Sequence, residues 1–436
     1  MSYSVRGSAK HHVALAVISG SGSSQSDRCR VGLVLRNEVG EQLGSAFNAC
    51  NEDTSCHRIE GACMAHLAGI ERSAQPRYHV VAGQAFRLIH DDESGAGEGI
   101  CHGISVCRTL WHVKILHGLG AVPDEVAHPH GSVVTIGVFD GVHKGHQLLI
   151  NMAVDTAHKL GLPSVVLTFD PHPREIFAPG SAPAALLPLS ERSKQIEQLG
   201  VDYLLVVDFR VELAGESPDA YVREVLVEKL AARHVLVGEN FTFGRNAEGT
   251  AETMAQLGRR YGFEVTIVQL LDDAGVRICS TAIRQQLAGG DIQGATDFMG
   301  RPFSLIAKIE RGAGRGGREL GYPTANQYAS EHAALPGDGV YAGWLTIIDE
   351  GPIAGDMRPG VRYPAAISVG TNPTFGDQRR SVESYILDRD ADLYDRVARV
   401  EFVQKVRDME KFDSVDELLD HMARDVASVR DILGIQ

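Results

Sequence analysis

Residues 133–146 read VVTIGVFDGVHKGH, an apolar β-branched run followed at once by a turn rich in glycine and histidine. The run Val133–Phe139 predicts a buried strand, and the residues from His146 onward have the apolar spacing of a helix. A strand that enters a glycine-rich turn and then a helix brings backbone N–H groups and the positive end of the helix dipole to one point. We therefore expect a phosphate-binding site here.

Two histidines in this turn are spaced for joint contact with a phosphate group. His143 and His146 lie three residues apart, so they share one face of the first helical turn and can both donate to phosphoryl oxygens. Because a hydrogen bond to a charged acceptor contributes about 1.5–3 kcal/mol, each donor should affect the rate. Gly141 and Gly145 let the chain approach a ligand without a Cβ clash. A plain glycine turn with two solvated histidines is the alternative.

The middle of the chain alternates short apolar strands with longer helical segments. The predicted strands are Val133–Phe139, Ser164–Phe169, Tyr203–Asp208, His234–Val237 and Glu264–Gln269. The predicted helices are His146–Leu160, Glu191–Leu199, Pro218–Leu230 and Ala251–Tyr261. Continuous apolar strands that alternate with helices are typical of a parallel sheet covered on both faces, so we predict a central Rossmann-like α/β domain.

After residue 302 the pattern changes to strands separated by turns. The predicted strands are Phe303–Glu310, Val340–Ile348, Pro364–Gly370, Ser381–Leu387 and Arg396–Val403. A final helix is predicted over Ser414–Leu433, so this part is interpreted as a small β-barrel closed by a C-terminal helix. Two composition breaks, Ala121–Ser132 and Gly289–Pro302, separate this barrel and the α/β domain from each other and from the segment before them.

Composition bounds the class of protein. The chain has 436 residues, which suggests about three domains at roughly 150 residues each. Its formal charge of −14, from 42 basic and 56 acidic residues, argues against a protein that coats nucleic acid or an anionic membrane. No window is long and apolar enough for a membrane span or a signal peptide, so we expect a cytoplasmic protein.

Six of the seven cysteines lie before residue 130, and none forms a C-x-x-C pair. Cys56 stands next to His57 and Cys101 next to His102, but these spacings match no common zinc-ligand pattern. Buried, reduced thiols are therefore the favoured interpretation over a zinc site.

The histidine motif resembles that of the nucleotidylyltransferase superfamily, whose members attach a phosphate or hydroxyl group to the α-phosphate of a nucleotide and release pyrophosphate. Three further strings are TFDPHP at 168–173, VGENFTFG at 237–244 and ICSTAIR at 278–284. Together they resemble the adenylyltransferase module of bifunctional bacterial riboflavin kinase/FAD synthetases. The resemblance implies that Ser280, Thr281 and Arg284 grip ATP phosphates, and that Asn240 and Phe241 line the flavin and nucleotide pocket.

The same resemblance implies that His143, His146 and Arg284 are catalytic. The further contacts that it implies with ATP or flavin are Gly137, Phe139, Asp140, Gly141, Gly145 and Asp170. From the residues alone, Ser280 and Thr281 are expected to cap the helix that follows and to expose its N–H groups.

Four strings in the β-rich segment resemble, in the same order, the riboflavin kinase domain of these enzymes. They are GRELGYPTAN at 317–326, GVYA at 339–342, SVGTNPTF at 368–375 and VESYILD at 382–388. Thr324 and Asn326 are two residues apart, so in extended chain both point one way and suit a Mg²⁺ ion shared with ATP phosphates. The implied ATP or flavin contacts are Gly317, Arg318, Gly321, Pro323 and Asn372.

Glu383 is the predicted general base of the kinase domain. By strand alternation it shares a face with Tyr385 and Leu387, and a carboxylate between two large side chains is expected to enter a pocket. The resemblance implies that it takes the proton from the ribityl 5′-hydroxyl of riboflavin. A solvent-facing glutamate is the alternative. Asp395 stands where the family has glycine, and we expect it to stiffen the final turn.

The resemblance covers residues 132–436, about 70% of the chain, and leaves the first 125 residues unexplained. Arg30–Asn48 followed by Thr54–Ile70 resembles an RNase H-like hairpin and helix, with Glu60 at a position that is acidic in that fold. Nucleases of that fold hold two metal ions with several carboxylates. Ser19 and Gly83 stand where aspartates are expected, so we predict an N-terminal α/β domain of RNase H-like fold without nuclease activity.

These observations predict three domains: 1–125, an adenylyltransferase domain at 132–297 and a riboflavin kinase domain at 300–436. The predicted enzyme uses Mg²⁺ and ATP to phosphorylate riboflavin to FMN, and then adenylylates FMN to FAD with release of pyrophosphate. One alternative is a riboflavin kinase whose adenylyltransferase half is impaired. Another is a flavin-binding regulator that recruits a protein partner through residues 1–125, which are also the candidate surface for self-association.

Overall fold

A computed structural model describes the chain from Val113 to Ile435 with short gaps, together with separate strands in the first 112 residues. The gaps are 128–129, 179, 210–212, 214, 274, 312–321 and 373–376. Backbone contacts divide the chain into two units, Met1–His112 and Val113–Gln436.

The first unit contains eight described strands, all paired antiparallel. They are β1 (Ser2–Ser4), β2 (Val17–Ser21), β3 (Arg28–Arg36), β4 (Gln42–Asn51), β5 (Tyr78–Val81), β6 (Ala85–Arg87), β7 (Ile100–His102) and β8 (Ser105–Thr109). β1 to β4 form one sheet in that order, β5 pairs with β8, and β6 pairs with β7. The hairpin β3–β4 matches a predicted pair of strands, whereas Glu60 and the predicted helix lie outside the described residues. The RNase H-like fold and a partner for this unit stay predictions.

The second unit begins with a parallel sheet. Its strands and two short hairpins are β9 (Lys114–His117), β10 (Ser132–Ile136), β11 (Ser164–Phe169), β12 (Tyr203–Val207), β13 (Ala232–Gly238), β14 (Thr242–Phe243), β15 (Gly249–Thr250), β16 (Glu264–Val268), β17 (Asp272–Asp273) and β18 (Val276–Arg277). Six of them form the sheet in the order β16-β13-β10-β11-β12-β9, with every neighbouring pair parallel. β14 pairs with β15, and β17 with β18.

Helices cover both faces of this sheet. They are α1 (Asp124–Ala127), α2 (Lys144–Leu160), α3 (Pro173–Phe177), α4 (Leu189–Gln198), α5 (Pro218–Tyr221) with its π-helical continuation (Val222–Lys229), α6 (Ala251–Tyr261), α7 (Ser280–Ala288) and α8 (Ile292–Met299). Val133 of β10 packs with α2 and α4 on one face, whereas its neighbour Val134 packs with α5 and α6 on the other. The predicted Rossmann-like α/β domain is confirmed.

Two predicted segments in this half have details that the sequence did not reveal. The predicted continuous helix Pro218–Leu230 is an α-helical turn followed by a wider π-helix. The segment Gly289–Pro302, interpreted as a break between domains, contains α8, which Asp291 caps through its carboxylate. Gly290, with φ of 78°, lies in the turn between α7 and α8, and Gly300 ends α8 with a left-handed φ of 71° before the link to β19.

The edge strand β9 comes from the range that the sequence assigned to the N-terminal domain. It pairs in parallel with β12, and Lys114 reaches across to Glu125 of α1 at 2.7 Å. The Tyr203 hydroxyl on β12 donates to the same carboxylate. This contact joins β9, α1 and β12, so the segment before residue 132 completes one edge of the sheet.

The C-terminal part is a closed six-stranded barrel in the order β19-β20-β24-β23-β21-β26. The elements are β19 (Ser304–Glu310), β20 (Thr324–Tyr328), β21 (Gly339–Ile347), β22 (Ala354–Gly355), β23 (Arg362–Asn372), β24 (Asp377–Ile386), β25 (Ala391–Asp392), β26 (Val397–Arg407) and α9 (Val415–Leu433). The predicted barrel and C-terminal helix are confirmed, although β20 was not predicted as a strand of the barrel. Its sequence, TANQY, is mostly polar, so it lacks the apolar pattern by which the other strands were predicted.

The α/β domain and the barrel share a hydrophobic core. Leu287 of α7 and Phe298 of α8 pack in one cluster with Leu345 and Phe402 of the barrel. The Leu287 carbonyl also accepts a hydrogen bond from the backbone N–H of Gly337 at 2.8 Å. Helices that belong to the α/β domain in sequence therefore help to fill the space between the two domains.

Asp395 occupies a left-handed turn before β26, with φ of 66°. Its backbone N–H donates to the carbonyl of Ile309, and its carboxylate lies 2.7 Å from the Lys308 ammonium, with both side chains exposed. Glycine adopts this backbone region freely, and aspartate tolerates it better than most residues. Asp395 thus fills a left-handed position, the backbone region that glycine adopts most easily.

We expect Asp395→Gly to leave the free energy of unfolding unchanged or to raise it slightly, because glycine adopts the left-handed region freely and the exposed ion pair is screened by solvent. Asp395→Val should lower it by about 1–2 kcal/mol, since a β-branched residue is strained at positive φ. Thermal or denaturant unfolding of both variants tests the expectation. Destabilisation by Asp395→Gly as large as that by Asp395→Val would contradict it.

Two candidate active sites

The predicted motifs of the α/β domain meet at the carboxyl edge of the parallel sheet. The loop after β10, the turn after β11 and the turn after β13 all leave the sheet at this edge, since the three strands are adjacent and parallel. After β10 the chain continues to β11 on one side and reaches β13 on the other side later. Such a reversal of strand order opens a crevice that binds ligands in open α/β sheets.

The loop from Gly137 to His143, here called the histidine loop, joins β10 to α2. Three of its residues have left-handed backbones: Phe139 (φ 53°), Gly141 (φ 81°) and Val142 (φ 38°). A Cβ on Gly141 would lie 2.8 Å from the side chain of Leu186, so this position also needs glycine for space. Phe139 and Val142 are almost fully buried, and their burial helps to hold the loop in this strained shape.

His143 caps the N-terminus of α2. Its Nδ1 accepts the backbone N–H of His146 at 3.3 Å, so the proton of the neutral ring is on Nε2. The rings of His143 and His146 stack with centroids 3.6 Å apart and an angle of 20°. Nδ1 of His146 is buried and has no hydrogen-bond partner among the described residues. The spacing of three residues therefore produces a stacked pair at the helix entrance.

Burial keeps both histidines neutral. Desolvation, with a contribution from the positive charge of Arg301, lowers the pKa of His143 to about 4. Desolvation also holds the pKa of His146 well below its ordinary value, and the neighbouring His143 and Arg192 add to that shift. Positive charge at this site accordingly comes from arginine, and the histidines offer neutral N–H donors.

Asp140 and Arg284 form a buried ion pair beside the histidine loop. The Asp140 carboxylate also accepts the backbone N–H groups of Leu186 and Leu187 at 3.0–3.2 Å. Nε of Arg284 donates to the carbonyl of Ala184 at 2.6 Å. Because all these partners belong to the chain, the carboxylate orients Arg284 and the loop from within the protein.

The start of α7 differs by one residue from the sequence prediction. Cys279 is the N-cap, and its sulfur accepts the N–H of Ala282 at 3.5 Å, so the prediction that Ser280 and Thr281 cap the helix was wrong. Ser280 donates instead to the backbone carbonyl of Asp140 at 2.9 Å. Thr281 is exposed in the first turn of α7.

Five further predicted residues lie at this edge. Asp170 is half-exposed and lies 4.0 Å from Arg192. Asn240 is exposed in the turn after β13, and Phe241 stacks on Phe243 with ring centroids 5.5 Å apart. Gly137 and Gly145 lie against the rings of the loop, where an added Cβ would come within 3.0–3.3 Å of Phe139 or His143.

The sequence did not reveal Arg192 of α4. Its guanidinium donates to the carbonyls of Val138 at 2.8 Å and Phe169 at 3.0 Å, which lie just beyond β10 and at the end of β11. The side chain is 7% exposed. No sequence signal singles it out, because Glu191 and Lys194 are charged residues of the same helix.

The predicted kinase residues come together on the outer face of the barrel. Asn326 of β20 lies opposite Glu383 of β24, and Glu383 lies opposite Ser368 of β23. In the next row Thr324 lies opposite Tyr385. The intervening residues, such as Ser384, point into the buried barrel interior, so these polar side chains share one face.

Glu383 is half-buried on this face. The Ser381 hydroxyl donates to its carboxylate at 3.0 Å, and burial raises the pKa of Glu383 despite this hydrogen bond. Thr324 Oγ1 lies 3.5 Å from Asn326 Oδ1. A carboxylate with a raised pKa beside two neutral oxygen donors can accept a proton and can bind a hard cation.

Several predicted residues of this domain cannot be placed. Gly317, Arg318 and Gly321 lie outside the described residues, and so does the side chain of Asn372 at the end of β23. Pro323 is exposed just before β20. Among the described residues no three His, Cys, Asp or Glu side chains are grouped to hold a metal ion on their own.

Comparisons with known proteins agree with both halves of this arrangement. A family model described as FAD synthetase matches residues 125–282, and one described as riboflavin kinase matches residues 299–433. The bifunctional riboflavin kinase/FMN adenylyltransferase of Escherichia coli (strain K12) is 35% identical over 323 residues, 74% of this chain and 98% of that protein. That of Pseudomonas fluorescens is 37% identical over 301 residues, 69% of this chain and 92% of its own length.

The match covers 323 residues, which is longer than the range 132–436. It therefore includes part of the segment before residue 132. Among solved structures, a protein from Streptococcus pneumoniae described as a macrolide-efflux protein aligns with a TM-score of 0.61 and 30% identity. It covers 73% of this chain and 99% of its own. In the described part of this chain, no helix has the length and apolar character to cross a bilayer.

Both family models match in the same order as the two domains, and the alignment covers nearly the full length of the relatives. These findings indicate one family. Its members form FMN from riboflavin and ATP, and form FAD from FMN and ATP. The chain belongs to the bifunctional riboflavin kinase/FMN adenylyltransferase family.

Proposed function

We propose that the two reactions proceed at separate sites, FAD formation at the histidine loop and FMN formation on the outer face of the barrel. This assignment depends on one observation: each of the two domains contains its own group of polar side chains. One is the stacked histidine pair at the start of α2, and the other is the row that joins Asn326 and Glu383.

For FAD formation, an oxygen of the FMN phosphate attacks the α-phosphorus of ATP, and the bond from that phosphorus to pyrophosphate breaks. No covalent enzyme intermediate is needed, so the chain contributes by positioning and by neutralising charge. Nε2–H of His143 donates to the phosphates from the helix entrance, where the dipole also favours negative charge. Arg284, oriented by Asp140, supplies a positive charge at the same edge.

For FMN formation, the ribityl 5′-oxygen of riboflavin attacks the γ-phosphorus of ATP, and Glu383 accepts the proton of that hydroxyl group. The raised pKa of Glu383 favours this role, because a general base is most effective when its pKa lies closer to the working pH. The bond from the γ-phosphorus to the bridging oxygen then breaks, and ADP leaves.

The residues of β20 fit the magnesium ion that we propose for this site. Thr324 and Asn326 offer two neutral hard oxygens on one face, which suits an ion that takes its remaining ligands from nucleotide phosphates and water. A bound Mg²⁺ would neutralise charge on the transferred phosphoryl group. The protein's part is to hold these two oxygens beside Glu383.

Glu383→Gln should lower FMN formation about 10²–10⁴-fold, since it removes the proton acceptor and keeps the shape of the side chain. FAD formation from supplied FMN should persist, because its site lies in the α/β domain. Chromatographic separation of FMN from FAD measures both rates. Glu401→Gln, on barrel strand β26 and paired with Arg362, is the matched control. Equal loss of both activities would refute separate sites.

Replacing His143 and His146 together by alanine should have the reverse effect. FAD formation should fall about 10²–10³-fold, because two donors to the phosphates are lost, while FMN formation continues. His158→Ala, in the last turn of the same helix, serves as control. Full FAD synthesis by the double variant would disprove the role of the histidine loop.

The protonation state of His143 gives a prediction that needs no substrate. In ¹⁵N-histidine spectra of the enzyme, His143 should stay neutral from pH 8 to 5.5, with the proton on Nε2, because its pKa is about 4. Its assignment follows from His143→Gln. The pKa of a histidine in the unfolded chain is about 6.5. Protonation of His143 therefore lowers the free energy of unfolding as the pH falls below that value. A titration midpoint near 6.5 would contradict the buried, capping geometry.

A further inference from the structure

Arg301 lies between α8 and β19, in the short link that joins the α/β domain to the barrel. Its guanidinium donates to the carbonyl of Gly141, to that of Val142 at 3.1 Å and to that of Met299 at 3.3 Å. The side chain is half-buried. A residue of the link thus binds two consecutive carbonyls of the histidine loop.

Gln147 of α2 makes the same bridge from the other side. Its Nε2 donates to the carbonyls of Val142 at 2.8 Å and Met299 at 2.9 Å. The Val142 carbonyl therefore accepts two side-chain donors. Val142 and Phe139 hold left-handed backbones that cost free energy, so the loop keeps its shape only where surrounding contacts determine it.

Arg301 also belongs to the charges that surround the histidine pair. These charges come from several elements: Arg301 in the link, Arg284 on α7, Arg192 on α4 near Asp170, and Asp140 in the loop. Arg301 is the largest charge contribution to the lowered pKa of His143 after burial itself. Its removal therefore changes an observable property of His143 besides the position of the loop.

We propose that Arg301 is a positioning residue for FAD formation, which fixes the carbonyls of Gly141 and Val142 and thereby the direction of the His143 ring. The link to the barrel then has a part in the adenylyltransferase site as well as a connecting role. This inference rests on the proposed function of the histidine loop.

Two substitutions separate the effect of the hydrogen bonds of Arg301 from the effect of its charge. Arg301→Gln loses both, so kcat for FAD formation should fall about 10–100-fold through misplacement of the loop, and the titration midpoint of His143 should rise. Arg301→Lys keeps the charge but not the forked donors, so kcat should fall while the midpoint stays low. FMN formation should remain within about twofold in both, since Glu383 lies on the barrel.

Arg399→Gln is the matched control. Arg399 joins the barrel to the α/β domain through Glu191 at 2.9 Å, and its side chain forms no hydrogen bond or ion pair with the described residues of the histidine loop. Glu191 keeps Lys194 as a second partner at 2.6 Å. The control should retain the rate of FAD formation and the low His143 midpoint.

Chemical rescue tests whether the forked donors of Arg301 are the group that FAD formation needs. A cavity of about 310 Å³ borders Arg301, Gln147 and the α4 side chains Gln195 and Gln198, so a small cation can reach the space left by Arg301→Ala. Added guanidinium at non-denaturing concentration should restore part of the FAD-forming rate of Arg301→Ala. Ammonium at equal ionic strength should restore less, since it lacks the fork.

The proposal is overturned if Arg301→Gln forms FAD within twofold of the parent enzyme. It is also overturned if both activities and the melting temperature fall together without rescue, because the residue would then only hold the domains together. If the His143 and His146 double variant retains FAD synthesis, the proposed function itself fails. Loss of FAD synthesis in that double variant but not in Arg301→Gln refutes the role of Arg301 alone.

Discussion

The buried ion pair between Asp140 and Arg284 is the contact on which the arrangement of the α/β site depends. Asp140 also accepts N–H groups from Leu186 and Leu187, so one carboxylate joins the histidine loop to the segment before α4 and to α7. Removing one partner of such a pair leaves an uncompensated buried charge, which typically costs about 3–5 kcal/mol. Because α7 packs against the barrel, the pair also fixes the loop relative to the second domain.

Burial lowers the pKa of His143 at one site and raises the pKa of Glu383 at the other. It favours the neutral forms of His143 and Glu383 by disfavouring charge in both. A neutral imidazole still donates one N–H, so the histidine loop keeps its donors while Arg284 provides the positive charge. At the proposed kinase site, the hydrogen bond from the Ser381 hydroxyl opposes the effect of burial, because it stabilises the carboxylate form of Glu383.

The sequence predicted the elements that carry strong local patterns. The apolar strands, the turn with His143 and His146, and the paired oxygens of Thr324 and Asn326 follow from spacing within a few residues. It did not predict contacts to main-chain carbonyls from distant side chains, such as Arg192 to Val138, because no residue pattern marks a carbonyl. The pairing of Asn326 with Glu383 depends on strand register between segments far apart in the chain, which alternation alone leaves open.

The boundary between the two domains is clear in the chain but not in the core. α8 precedes the barrel in the chain, yet its Phe298 packs with barrel residues such as Phe402. The Met299 carbonyl at its end accepts hydrogen bonds from both Gln147 and Arg301. A displacement of α8 would therefore reach the histidine loop through two side chains as well as through the backbone. The two domains thus share a core through α7 and α8, and the link between them contacts the histidine loop directly.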